Sequence, residues 1–464
     1  MSEDGTEGKF RNRARGEFFY SLEKGFSYPT ATAEDRIDAA IAKGSLIFGH
    51  VYCVHTLLER SGLLNLIRDT ETSSPDTLMA LVMHRLLDCH PDTHASSFFE
   101  QTYTSILYPK GDLSSQAISE LLAKLGRDEL RRDFHRRYIE MTRPEGKSVG
   151  VLFDGPGLPN DMKSPIAALS DPGNGAVNQI RLIYVVDRES FNPIYYRVIH
   201  GNVVDIITLQ EIFDELKSLN VNIDYSVLDV GYNSESNLEE LYSLGIDFMT
   251  RLISNSCLYK ELLAQNCDNI IQASNRLVYN NQLLFMTINK IKLPNNRTAY
   301  AYIGIDISKN NEITNNFSLG ENPNKPMSND EYEMKFKTAG MFVMISSLKI
   351  DIKDVIPYYY SCQTIEQIFD TNKNYARFLP LSVHSLETFN GHLLLSFITT
   401  IVYFKLQKIC HKQKFNAIDC ITELRGITCG VYNDHLHIYE PTAKQKEILK
   451  MLKIQLPTRL PLRA

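Results

Sequence analysis

The 464-residue chain contains no tryptophan. Any task that needs a large flat ring, such as stacking an extruded base, therefore falls to tyrosine or phenylalanine. Tyr279, Tyr300 and Tyr302 are candidates, although each also reads as an ordinary strand residue. The eight cysteines are scattered and form no C-x-x-C pair. That spacing argues against a zinc ribbon and against a disulfide framework, and fits a reduced, cytosolic setting. Cys89, His90 and His94 lie close together, as do Cys410 and His411, but no second pair stands at metal-ligand spacing, so both groups read as structural. There is no long uninterrupted apolar run. The longest, Leu393 to Phe404, is broken by Ser and Thr and is too short to span a bilayer, so a buried core helix is expected and no membrane partner. Met1 to Arg15 is polar and charged, which is not the pattern of a signal peptide. Nor is the chain basic overall: its formal net charge is −6. The distribution is uneven, since residues 401–464 hold eleven Lys/Arg against five Asp/Glu. A tail of that charge suits DNA phosphates, and equally suits the solvated face of a terminal helix.

What is present changes character along the chain. Residues 1–34 read as a flexible N-terminus. Residues 35–145 read as helical, with helices from Ala33 to Ala42 and Ile47 to Leu58. A third follows the cap Ser74-Pro75, with Leu78, Leu81, Val82 and Leu86 on one face, and a fourth runs from Ser115 to Leu125. Arg127, Arg131, Arg132, Arg136, Arg137 and Arg143 then crowd one segment. They form either the basic face of a DNA-end binding domain or a solvated charged face.

From residue 149 the period shortens. Val149 to Phe153 reads as a buried strand ending in Asp154, followed by strands Ile180 to Val186 and Ile194 to Ile199 and a helix Thr208 to Leu219. Tyr225 to Leu228 is a strand ending in Asp229, Ser234 can cap a helix reaching Leu244, and Phe248 to Leu252 is a strand. Asp154 and Asp229 meet at one sheet edge if their strands are parallel neighbours, and ligand sites of open α/β sheets lie at such edges. Each Asp also has a plain reading as a turn or cap residue. Residues 253–350 read as a β-rich insertion, with runs at 276–279, 282–288, 298–305 and 341–346 and a polar loop from Asn310 to Asn329.

The next stretch carries a regular constellation. Tyr359, Glu366 and Lys373 are spaced seven and seven, so on a helix all three share one face, with Ile365, Ile368 and Phe369 on another. Asp354 is placed to cap that helix and Pro357 to sit in its first turn. Taken alone, this is an ordinary amphipathic helix. Beside Asp154 and Asp229, Glu366 becomes a third carboxylate. Such a set suits two hard divalent cations, Mg2+ or Mn2+, with Asp154 bridging and Asp229 and Glu366 each holding one. Lys373 would contact phosphate and Tyr359 would orient the strand. A long apolar helix from about His384 to Cys410 follows, then the basic region 411–464.

These residues in this order resemble the DDE transposases of bacterial insertion sequences, most of all the insertion-sequence-four family and its relatives. The match runs from Asp154 through Val186 to Arg197, Gly201-Asn202 with Asp205, and Asp229-x-Gly231-Tyr232. It continues in the signature Tyr, two residues, Arg, three residues, Glu, six residues, Lys, which Tyr359, Glu366 and Lys373 fill while Cys362 stands in place of Arg. Gly391-His392 and the helix after it complete the resemblance, which spans roughly residues 45–455. It implies an α/β fold with a ribonuclease H-like catalytic core in two parts, residues 146–252 and 351–410, around the insertion. It also implies Mg2+-dependent cleavage of transposon-end DNA and strand transfer into target DNA. The implied partners are double-stranded DNA (terminal inverted repeats and target) and a second copy in a homodimeric synaptic complex, in the cytoplasm at a bacterial nucleoid. Cys362 removes a guanidinium that would grip phosphate in a fork, and a thiol does not replace it. Two other readings therefore stand beside an active transposase: a catalytically impaired or domesticated DNA-binding relative, and a nuclease of the same core.

Overall fold

The computed structural model describes residues 8–12, 16–21, 25–27, 33–71, 73–88, 90–143, 149–154, 157–159, 168–170, 177–200, 206–319, 328–360, 385–411 and 415–462. The chain divides into two compact units. One comprises Met1–Phe134, Tyr375–Arg377 and Val383–Ala464; the other comprises His135–Asn374 and Phe378–Ser382. In the first unit, strands β1 (Gly8–Asn12), β2 (Gly16–Ser21) and β3 (Gly25–Ser27) form an antiparallel sheet where the sequence reads as flexible. The register sets Phe10 opposite Phe18 and Tyr20 opposite Phe26. Helices follow at Ala33–Lys43, Gly49–Arg60, Leu63–Arg68, Pro75–Leu87 and Ser115–Leu125. The helix expected from Ile47 starts two residues later, because β4 (Ser45–Ile47) is drawn into a sheet. Ser74 stands at the N-cap of Pro75–Leu87 without a capping bond, so only Pro75 among the expected start signals acts there.

The second unit is built on one mixed sheet. Its strands are β5 (Val149–Asp154), β6 (Gly157–Pro159), β7 (Ala168–Ser170), β8 (Val177–Asp187), β9 (Pro193–His200), β10 (Ile223–Leu228), β11 (Asp247–Arg251), β12 (Arg276–Tyr279), β13 (Gln282–Lys292), β14 (Thr298–Asp306) and β15 (Met341–Ser346). The order is β12-β13-β14-β15-β11-β10-β5-β8-β6, with β7 and β9 also on β8. β5, β10 and β11 run parallel, while β8 is antiparallel to β5 and β9 to β8. Helices Ile206–Ser218 and Glu235–Leu244 connect β9 to β10 and β10 to β11. The expected stripe Leu209, Ile212, Phe213 and Leu216 is buried, and Phe213 meets Phe153 edge to face at 5.4 Å. Ser234 caps the second helix by accepting from Asn237 N at 3.2 Å.

The β-runs of 253–350 are strands, but they do not close a sheet of their own. β15 pairs antiparallel with β11, so β12–β15 prolong the same sheet. The polar stretch after Asn310 is helical at Ile307–Leu319 and again at Asn329–Thr338. Asp306 starts the first helix by accepting from Ser308 N and Lys309 N at 2.9 and 3.2 Å, and Ser328 caps the second. The asparagines lower the apparent propensity without abolishing either helix.

The first unit resumes with the helix Leu386–His411 and the helices Ala417–Arg425 and Ala443–Met451, with strands β16 (Thr428–Val431), β17 (His435–Ile438) and β18 (Arg459–Pro461) between and after them. These strands and β4 form the sheet β18-β17-β16-β4, so residues 35–145 and 411–464 share one sheet. Leu386–His411 is long and apolar enough to cross a membrane by length and composition, yet 72% of its most apolar window is buried inside the protein. It crosses Ser115–Leu125 at two glycines. A Cβ at Gly391 would overlap the Leu122 carbonyl, and one at Gly126 would overlap the Glu387 carbonyl. Cys410 and Cys420 are both buried, with their sulfurs 3.6 Å apart as thiols.

His50 is also buried in this unit, and neither of its ring nitrogens has a hydrogen-bond partner among the described residues. Burial, aided by Arg425 and opposed by Asp88, lowers its pKa to about 3. An imidazole in the unfolded chain titrates near 6.5. Between those values the unfolded state binds a proton that the folded state refuses, so stability is lost as pH falls through that window, by up to ~1.4 kcal/mol per pH unit. His50→Phe is expected to flatten the acid limb: urea midpoints of the wild type should fall from pH 6.5 to 4 more steeply than those of the variant.

Candidate active site

The backbone register brings the two aspartates together. Leu228 of β10 pairs with Phe153 of β5 in parallel, so the next residues, Asp229 and Asp154, stand at the same end of adjacent strands. Parallel strands arise here because helix Ile206–Ser218 carries the chain back across the sheet. Arg197 of β9 holds that helix through Glu215 at 2.6 Å and through Glu211.

Asp229 is half-buried, and its backbone is pinned. Its carbonyl accepts from Tyr232 N at 3.0 Å and from the Thr250 hydroxyl at 3.4 Å. The first bond closes the 3-10 turn Val230–Tyr232; the second ties the end of β10 to β11. The carboxylate makes no capping bond to that turn, and among the described residues it has no hydrogen-bond or ion-pair partner. The plain reading of Asp229 as a helix cap therefore fails. Asp154 closes β5 at the same end and is placed by its backbone alone.

Of the helix expected over Tyr359–Lys373, only Tyr359 and Tyr360 are described, and they belong to a helix that begins upstream. It spans Ile352–Tyr360, and Asp351, not Asp354, supports its start by accepting from Lys353 N at 3.2 Å. Pro357 lies inside the helix and not in its first turn. The Arg188 guanidinium lies 4.8 Å from the Tyr225 ring and 4.7 Å from the Tyr358 ring, clamping the helix to β10 by cation–π contacts. Gly150 leaves room for the Arg188 stem, since a Cβ there would sit 3.1 Å from its Nε. Tyr359, half-buried, meets Tyr360 edge to face, and Tyr360 stacks on Tyr279 at 5.9 Å and 9°. Burial pushes the Tyr360 phenol up, with Arg251 pulling it back and Asp306 adding to the rise. Arg251 follows Thr250, the register partner of Leu228. The helix thus delivers Tyr360 to the sheet end that carries Asp229, six residues before Glu366.

Cys362, Glu366 and Lys373 lie outside the described residues, as do Gly201, Asn202 and Asp205. Among the described residues no group of three or more His, Cys, Asp or Glu comes together to hold a metal. The arginines sit on helix Asp128–Thr142. Arg131 pairs with Asp128, and Arg136 pairs with Glu140 at 3.2 Å, so the basic face is partly neutralised from within. Arg132 is exposed and Arg137 half-buried. Of the three candidate base platforms, Tyr302 is excluded: it is buried, and its hydroxyl donates to Ile350 O at 2.9 Å. The Arg188 clamp has no signal in the sequence because it joins residues far apart in the chain.

The chain belongs to the Transposase DDE domain family, whose match covers residues 146–402. It is similar at 12% identity to the piggyBac transposase of a synaptic complex with hairpin DNA, over 76% of this chain and 70% of that one, with a TM-score of 0.40. It is similar at 13% identity to the Drosophila P element transposase of a strand transfer complex, over 72% of this chain and 80% of that one, with a TM-score of 0.23. No curated protein matches it.

Proposed function

We propose that this protein is a DNA transposase that cleaves transposon-end DNA and joins it to target DNA, with Asp154, Asp229 and Glu366 as its catalytic carboxylates. The observation that carries the reading is the parallel pairing of β5 with β10, which sets Asp154 and Asp229 at one sheet end, with the Asp229 carboxylate uncommitted to any cap. The order β11-β10-β5-β8-β9, with a helix after β9 and another between β10 and β11, supports a ribonuclease H-like core. β12–β15 would then be its insertion, grafted on the edge strand.

An all-oxygen donor set of carboxylates fits hard divalent cations, Mg2+ or Mn2+. Two such ions, when bound, supply Lewis acidity at phosphorus and stabilise the attacking and leaving oxygens. The chain's own part is placement. Thr250 and the 3-10 turn fix the Asp229 backbone, and the Arg188 clamp fixes the helix that leads to Glu366. Tyr359 and Lys373 would position the DNA strand, and the exposed Arg132 would add a phosphate contact beside Arg131, Arg136 and Arg137. Double-stranded terminal repeats and target are the substrates, paired by a homodimer.

The test is cleavage of labelled duplex carrying the ends of the element that encodes the protein, with Mg2+ and with excess chelator. Metal-dependent nicking at the end is expected; nicking that is indifferent to chelator would sink the reading. Cys362 in the Arg position of the signature favours the impaired alternative. Cys362→Arg is expected to cleave as fast as the wild type or faster, because a guanidinium grips phosphate in a fork. Slower cleavage by that variant would show that the thiol position is not a phosphate contact.

A further inference from the structure

The first unit contains a second feature suited to a polyanion. An open groove of about 850 Å³ is lined by Arg60, Pro441, Lys446, Leu449, Lys450 and Lys453 among others, with no carboxylate in the lining. Lys446, Lys450 and Lys453 lie at i, i+4 and i+7 along and just beyond helix Ala443–Met451, so they share one face. Like charges at that spacing repel and destabilise the helix by a few tenths of a kcal/mol per pair. Lys446 finds relief in a pair with Glu440 at 2.5 Å, but both side chains are more than half exposed, so the pair neutralises little.

The end of the helix carries a second cost. Lys453 follows the C-cap with φ +55°, a left-handed conformation for which glycine is the usual choice. Ile454 N reaches back to Leu449 O at 2.9 Å, closing the helix end around it. The Arg60 guanidinium then donates to the Lys453 carbonyl at 2.9 Å, bringing a fourth cation from helix Gly49–Arg60 to the same place. The stripe repels itself and Lys453 adopts a conformation better suited to glycine, while the Arg60 hydrogen bond holds a further cation beside them. Together they make a groove of one sign.

We propose that this groove binds the phosphate backbone of double-stranded DNA, as a contact separate from the carboxylate site. The identity of the anion as DNA rests on the transposase reading; the one-signed groove does not. The contacts are point charges to phosphate, so they add affinity without sequence preference.

The experiment measures binding of the full chain to a DNA duplex across a salt series, for wild type, Lys450→Gln, Lys453→Gly and the double variant. Removing one phosphate contact should reduce the slope of log affinity against log salt by about 0.9. Lys450→Gln and Lys453→Gly are each expected to lower the slope by that amount, and the double variant by about twice as much. Lys453→Gly also relieves the positive φ, so its melting temperature should be unchanged or raised while its DNA binding weakens, a pair of effects that misfolding does not produce. Wild-type slopes in both lysine variants overturn the inference, as does stronger binding to polyglutamate than to DNA. Groove-dependent binding without metal-dependent cleavage would leave the groove standing and remove the transposase reading.

Discussion

Asp229→Asn is expected to abolish metal-dependent cleavage of end DNA while leaving the fold intact. Asn matches Asp in shape, and the contacts that pin residue 229 are made by its carbonyl, which the substitution retains. The carboxylate caps nothing, so stability should stay within about 0.5 kcal/mol of wild type. The amide has lost the negative charge that a hard cation requires. Removing even an outer-shell partner of a metal site costs about 10–100-fold, so loss of a direct ligand should exceed ~100-fold. Asp154→Asn is expected to behave alike, since register places it beside Asp229. Cleavage assays and thermal melts on the same preparations check both halves. Cleavage within tenfold of wild type in either variant would overturn the assignment of that residue; a lowered melt would show a structural role instead.

Gly391→Ala is the largest expected loss of stability. The methyl group would occupy the space of the Leu122 carbonyl, which is helix backbone and has no rotamer to move into. Helices Ser115–Leu125 and Leu386–His411 must separate, and the buried Leu121, Leu122, Leu394 and Leu395 lose packing as they do. Overpacking of this kind costs about 1–3 kcal/mol, and more where backbone is the obstacle. We expect about 3 kcal/mol or more, and a similar loss for Gly126→Ala, which meets the Glu387 carbonyl from the other side. Gly245→Ala is the contrast: its φ of +69° strains an alanine, but nothing lies within 4 Å, so ~1 kcal/mol is expected. Urea midpoints for the three variants rank them. Equal losses at Gly391 and Gly245 would mean that the two helices can part without cost.

These two sites differ in how legible they are from sequence. Asp229 is readable because a strand-end carboxylate followed by glycine interrupts an apolar run, a local pattern. The strands of the second unit are readable for the same reason, since burial on both faces leaves continuous apolar segments. The sequence offers Asp354 as the cap of helix Ile352–Tyr360, but that residue lies inside the helix and Asp351 supports its start. The helices around Asn310 and Asn329 are hidden by composition, and the strands before Ser27 by glycine. Gly391 is visible only as part of a resemblance; that it admits a backbone carbonyl requires the partner helix.

By itself the sequence determined the order of strands β5, β8, β9, β10 and β11 and of the two helices among them, the two aspartates at strand ends, the long buried helix and the family. Each is written in short-range patterns, where a residue's neighbours set its propensity and exposure. The tertiary structure alone decided that β5 and β10 are parallel neighbours, that β12–β15 extend the same sheet, that β4 joins β16–β18, and that Arg188 clamps the helix leading toward Glu366. Those facts depend on pairings across tens to hundreds of residues. The free energy of such pairings comes from burial and register at both partners at once, and neither partner's local sequence carries it.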